Sequence, residues 1–133
     1  MIIMSALMCL TMNIYYESRG EPMLGQRAVA LTTWNRAGHD KDKVCDTVFK
    51  DKQFSWTNGK IEKLGYGYKF NAEKPKDKAA LELAREAAFL TIEGRMYDFT
   101  KGADHYHEKS VKPFWSKSMT ELTKVGRHIF YKA

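Results

Sequence analysis

Residues 5–18, SALMCLTMNIYYES, are apolar nearly all the way round when wound as a helix, and this constrains the fold more than any other feature. A helix without a polar stripe has no solvent side, so it belongs at the centre of a packed body. Gly20 ends the segment, and Pro22 keeps Glu21 out of the helical region, so the chain must turn directly after it. Residues 1–12 lack the positive start of a secretory signal and are too short to cross a bilayer. They read as the beginning of the buried helix, with no stable membrane insertion expected.

The remaining elements can be arranged around that core. A second helix is predicted over 22–36, with Pro22 near its first turn and a face made of Leu24, Ala28, Leu31 and Thr32, Val29 beside it. Ala37-Gly38-His39-Asp40 reads as its exit turn. Thr47-Val48-Phe49 fits the end of a short helix, and Gln53-Phe54-Ser55-Trp56 an ordered loop or strand. Residues 58–71 hold three glycines among Tyr66, Tyr68 and Phe70 and are expected to form a mobile loop beside a cleft. The clearest helix opens at Pro75 and ends at Gly94. Ala80, Leu83, Ala84, Ala87, Ala88 and Thr91 should line its inner side, with Lys78 and Glu82 an exposed pair one turn apart. Beyond Arg95, residues 103–107 and 126–131 alternate in character, carry β-formers and should pair as a small antiparallel element. The expected class is α+β, mainly helical, in a single domain over residues 1–133.

A formal charge of +6 speeds encounter with polyanions such as nucleic acid, anionic lipid or an acidic cell wall. The lysines are scattered in separate stretches rather than gathered in a dense run, which argues against a nucleic-acid arm. Cys9 and Cys45 match no zinc spacing; they could form one bridge, but the preferred reading is free, buried thiols. No local context supports Cys45 as a nucleophile.

Chemistry concentrates in Tyr16-Glu17-Ser18-Arg19-Gly20-Glu21-Pro22. Glu17 falls in the last turn of the apolar helix, where the negative end of the helix dipole and aromatic burial both disfavour a carboxylate. A glutamate kept protonated in this way is what a general acid requires. Glu21 precedes the next helix, whose N-terminus favours the ionised form. Its plainer reading is a helix-start residue paired with Arg19. His105 and His107 would face the same way on a strand, and with His128 could hold a metal. Hydrogen bonding at a cleft wall is the preferred reading, with no metal and no cofactor. Gln53, Ser55 and Trp56 offer amide, hydroxyl and indole groups suited to an N-acetyl sugar, or equally to loop packing. No GxSxG elbow, Walker loop or dinucleotide glycine pattern is present.

The chain resembles the catalytic domain of the SleB-type cell wall hydrolases, the spore-cortex-lytic enzyme family. The resemblance rests on pieces in family order. They are Ile14-Tyr15-Tyr16-Glu17-Ser18-Arg19-Gly20-Glu21-Pro22, Gly25-Gln26-Arg27-Ala28-Val29-Ala30, Asn35-Arg36, Thr47-Val48-Phe49 and Gln53-Phe54-Ser55-Trp56. His105-Tyr106-His107, Pro113 with Trp115, and Gly126-Arg127-His128 with Phe130-Tyr131 follow. Ser18 stands where the family usually has alanine, and Ile129 where arginine is expected.

The resemblance implies a lysozyme-like core related to lytic transglycosylases. It implies cleavage of the β-1,4 bond between N-acetylmuramic acid and N-acetylglucosamine in bacterial peptidoglycan, with Glu17 as the catalytic acid/base. Glu21, Gln53, Ser55, Trp56, Tyr106, His107 and Trp115 are the expected substrate-binding residues. A basic domain read as lacking an export signal and a wall-binding module resembles a phage endolysin. It would be monomeric, held in the host cytoplasm and released to the periplasm or wall by a holin. The rival readings are a hydrolytic muramidase, a non-catalytic basic module binding wall polymer or nucleic acid, and a metal-dependent amidase built on His105 and His107.

Overall fold

The computed structural model describes residues 5–50 and 75–133. Its elements are α1 (Ala6–Ser18), α2 (Met23–Arg36), α3 (Lys41–Phe49), α4 (Pro75–Ile92), β1 (His105–Glu108), a single 3-10 turn (Phe114–Lys117), β2 (Thr120–Val125) and β3 (His128–Lys132). The expected α+β, mainly helical class is the one observed.

Helix α1 is the axis of the body. Ser5 caps it, its hydroxyl accepting from the Met8 backbone N–H at 3.2 Å. Every residue from Cys9 to Tyr15 is buried, with α2, α3 and α4 packed around them. Ser18, the departure from alanine, is satisfied inside the helix: its hydroxyl donates to the Ile14 carbonyl at 2.8 Å. The turn that follows needs Gly20, whose φ of +83° is strained for any other residue.

Two predicted faces shift. On α2, Ala28, Val29, Leu31 and Thr32 are buried as expected, but Leu24 is 58% exposed, and burial extends over the whole stretch from Ala28 to Trp34 together with Gly25 and Gln26. Helix α2 lies against α1, α4 and the sheet at once, so a one-sided stripe is too narrow a description. On α4, Leu83 is 39% exposed, while Ala84, Ala87, Ala88 and Thr91 are buried. These small side chains let α4 approach α1 closely, and Leu83 sits one step off their stripe.

The cysteines are not free. Cys9 on α1 and Cys45 on α3 form a disulfide, with Cα atoms 5.2 Å apart. Their separation of 36 residues carries no hint of this. It is the docking of α3 on α1 through buried Val44 and Val48 that brings the two together.

The sheet has the order β1-β3-β2 and is antiparallel throughout. The β1–β3 pairing is the expected one, with Tyr106 opposite Phe130 and His107 opposite Ile129. Strand β2 is an addition. Its sequence is largely polar, only partly buried and interrupted by a register shift between Glu121 and Thr123, so its alternation is weak. The approach to β1 is organised by Asp98, whose carboxylate accepts from Asn35 Nδ2 at 2.9 Å and from the backbone of Thr100 and Gly102. Asn35 also donates to the Ala103 carbonyl at 2.9 Å, which ties the end of α2 to the start of the sheet. Among the described residues no helix is long and apolar enough to cross a membrane.

Closing a loop of this length by a disulfide removes disorder from the unfolded chain worth about 4 kcal/mol. Replacing Cys9 and Cys45 by serine should therefore lower the unfolding free energy by roughly 2–4 kcal/mol in urea titrations. Adding a thiol reductant to the wild type should reproduce the loss and leave the serine variant unchanged.

Candidate active site

The sharp turn after α1 places Glu21 where it cannot reach water. Its side chain is 1% exposed, and its carboxylate points across to the turn between β2 and β3. There Oε1 accepts from the Arg127 backbone N–H at 2.7 Å. His128 Nδ1 lies 3.2 Å from Oε2 and 3.3 Å from Oε1, and the Arg127 guanidinium stands 3.7 Å from Oε2. Burial pushes this carboxyl up, but His128 and Arg127 more than reverse the push and hold it below the ordinary glutamate range. Two glycines make the space. Gly126 has φ +56°, and a Cβ there would collide with the Glu21 carboxylate. A Cβ at Gly25 would come within 3.2 Å of the same oxygen.

Glu21 is therefore not a helix-start residue paired with Arg19. Arg19 pairs instead with Asp77 at the start of α4 and lies over the Tyr15 ring, 4.4 Å from its centroid. Glu21, expected among the substrate-binding residues, is closed off from solvent in this structure. A carboxylate this buried, with Oε1 hydrogen-bonded to Arg127 and Oε2 facing His128 and Arg127 without a hydrogen bond, acts as a structural anchor.

Glu17 is the penultimate residue of α1 and is half-buried. One turn earlier on the same side lies Asn13, which is fully buried. Its Oδ1 accepts from the Thr33 hydroxyl at 2.6 Å, and its Nδ2 donates to the Tyr106 hydroxyl at 3.2 Å. Burial pushes the Tyr106 hydroxyl well above its ordinary value, and the nearby charge of Glu17 adds to that push. Asn13, Arg36 and Thr33 act in the other direction. The Tyr106 ring meets His128 edge-on, with centroids 5.1 Å apart at 89°, and Phe130 at 5.9 Å. Glu17 thus lies near Tyr106, which is tied to Asn13 and through it to Thr33. Nothing in the sequence reading singles out Asn13 and Thr33; the available signal is a lone carboxamide inside an otherwise apolar helix.

The other expected site residues divide. Gln53, Ser55 and Trp56, and the 58–71 loop, lie outside the described residues. Strand alternation puts His107 on the face of the sheet opposite Tyr106. On that second face His107 stacks on Tyr131 at 5.2 Å, its Nε2 2.9 Å from the tyrosine hydroxyl. Trp115 packs against His105, His107 and Tyr131. Tyr106 therefore does not join His107 and Trp115 in one stacking surface. His128 belongs to the Tyr106 face, so it cannot complete a metal site with His105 and His107. Among the described residues no group of three or more His, Cys, Asp or Glu is placed to hold a metal ion.

The sign of the Glu21 shift fixes how stability should respond to acid. A carboxyl held lower in the folded chain stabilises the fold above the unfolded glutamate value, about 4.3, and that contribution fades as pH falls through the folded value. Glu21→Gln should cost roughly 1.5–3 kcal/mol at neutral pH. The gap to wild type should narrow steadily as denaturant titrations are repeated below pH 4.3. A gap independent of pH would show that the charge of Glu21 contributes nothing.

With this geometry in hand, known proteins can be compared. The cell wall hydrolase family matches residues 20–131. No curated protein sequence matches the chain. Among solved structures, the catalytic domain of the germination-specific lytic transglycosylase SleB from Bacillus anthracis is similar with a TM-score of 0.69 and 28% identity, covering 96% of this chain and 93% of that one. The catalytic domain of the Bacillus cereus SleB protein is similar with a TM-score of 0.65 and 29% identity, over 96% of this chain and 90% of that one. The family match spans most of the sequence, including Glu21, the β1 histidines and the Gly126 turn, and the chain belongs to the cell wall hydrolase family.

Proposed function

We propose that this enzyme cleaves peptidoglycan glycan strands at the β-1,4 bond between N-acetylmuramic acid and N-acetylglucosamine, by lytic transglycosylation with Glu17 as the acid/base. The observation that carries this reading is the placement of Glu17. It is a half-buried carboxyl at the end of a rigid buried helix, coupled to the Tyr106 phenol, in a chain similar to a lytic transglycosylase catalytic domain.

In the proposed reaction Glu17 gives its proton to the glycosidic oxygen as the bond to C1 of the muramic acid breaks. The sugar's own 6-hydroxyl then bonds to C1, and its proton passes to the Glu17 carboxylate. The product carries a 1,6-anhydro ring, and Glu17 is again protonated. One carboxyl group serves both steps, unlike the paired carboxylates of most glycosidases. The burial of Glu21 supports this economy, because the second acid of the motif is committed to Arg127 and His128.

The proposed setting is a phage endolysin, its catalytic domain acting as a monomer and released from the host cytoplasm to the wall by a holin. The +6 charge supports approach to an anionic wall, and the Cys9–Cys45 disulfide supports a destination outside the reducing cytosol. Expression in the cytoplasm of a bacterial host should then be tolerated, with rapid lysis once a membrane-permeabilising protein is co-expressed.

Glu17→Gln should retain the wild-type melting temperature and lower the rate of digestion of purified sacculi by roughly 100-fold or more. Mass spectrometry of wild-type digests should show anhydro ends. Reducing ends in their place would assign the reaction to a muramidase, and unchanged lysis by Glu17→Gln would remove this residue from the mechanism.

A further inference from the structure

Packed against Tyr106 is a side chain that neither the anchor nor the acid explains. His128 is fully buried, and its Nδ1 faces both oxygens of Glu21. With Nδ1 3.2 Å and 3.3 Å from the two carboxylate oxygens, the ring orientation is fixed from that side. The opposite nitrogen, Nε2, is buried with no hydrogen-bond partner among the described residues. A buried polar atom left this way is unfavourable, so space-filling alone is a poor reason for an imidazole here. What the ring does meet is Tyr106, edge-on at 5.1 Å, on the face of the sheet that also carries the Tyr106 link to α1.

We propose that His128 is a positioning residue for the cleavage reaction, wedged between Glu21 and the Tyr106 ring so that the phenol is held over the Glu17 end of α1. The inference rests on Glu17 being the acid/base. The contacts form an unbroken series. The Gly126 turn presents Arg127 and His128 to Glu21, His128 bears on Tyr106, and Tyr106 accepts from Asn13, one turn before Glu17. Turning the Tyr106 side chain about its Cα–Cβ bond would swing its hydroxyl away from Asn13. His128 and Phe130, neighbours on the same face of β3, both pack on the ring and oppose that movement. The C-terminal hairpin thereby sets the surroundings of a carboxyl more than 100 positions earlier in the chain.

The test is a double-mutant cycle on digestion of purified sacculi, with rates expressed per folded molecule. His128→Asn keeps an N–H donor for Glu21 and removes the ring edge. It should fold, keep KM and lower kcat by roughly 10- to 100-fold. Tyr106→Phe, which removes only the hydroxyl, should show a loss of the same order. If His128 works through Tyr106, the double variant should be no slower than the slower single variant. Full kcat in His128→Asn, or losses that multiply, would overturn the proposal. Should His128→Asn fail to fold, His128→Gln, with a longer carboxamide, is read by the same outcomes. Glu17→Gln run alongside separates the two failures. An inactive Glu17→Gln with a fully active His128→Asn sinks only the positioning role, whereas an active Glu17→Gln sinks the acid/base reading and this inference with it.

Discussion

A carboxylate with almost no exposure is tolerated only when its charge is answered at once, and Glu21 is answered by residues 106 and 107 positions away. Leaving any one of those partners out would strand a buried ion, which costs several kcal/mol at the order-of-magnitude level. The consequence is architectural. The corner between α1 and α2 and the turn between β2 and β3 cannot take up independent positions, because each supplies half of one ionic contact. The two glycines flanking the carboxylate follow from the same requirement: the backbone must come close enough for an N–H to reach the oxygen, and no side chain may intervene.

With that corner fixed, the placement of Glu17 becomes a property of the scaffold rather than of a loop. Helix α1 is gripped by α2, α3 and α4 and further tied to α3 by the disulfide. Its last turn is held by Arg19, which bridges Tyr15 and Asp77. The proposed single-carboxylate mechanism places a heavy demand on geometry, because in it the same group must reach the leaving oxygen and later the 6-hydroxyl. A group at the end of a helix locked on all sides meets that demand better than one on a mobile segment.

Much of this is legible in the sequence, and the exceptions have specific causes. The central position of α1 follows from its lack of a polar stripe, and the β1–β3 pair from alternation, because both are local patterns. Helix α2 ends at Arg36 as read, since Gly38 and His39 leave by positive φ. The disulfide, the burial of Glu21 and the Asn13–Thr33–Tyr106 connection are not local. Each depends on which elements dock, which no spacing encodes. Glu21 illustrates the difficulty. As a charged residue before a helix it has an ordinary explanation, and only the arrival of Gly126 and His128 from the far end of the chain replaces it. Strand β2 is missed for the opposite reason: its pattern is local but faint, being polar, partly exposed and bulged.

The sheet itself divides labour by alternation. Residues of one face, Tyr106, His128 and Phe130, turn toward α1 and Glu21. Those of the other, His105, His107, Trp115 and Tyr131, pack on one another, with His107 facing the Tyr131 hydroxyl and His105 facing Asp104. Adjacent positions in the His105-Tyr106-His107 triplet therefore have separate neighbours, and a change at one should not propagate to the other. A triplet that looks in sequence like one unit is two, and only its middle member is coupled to the proposed acid. The histidines on either side belong instead to a small aromatic cluster with Trp115 and Tyr131 on the far face.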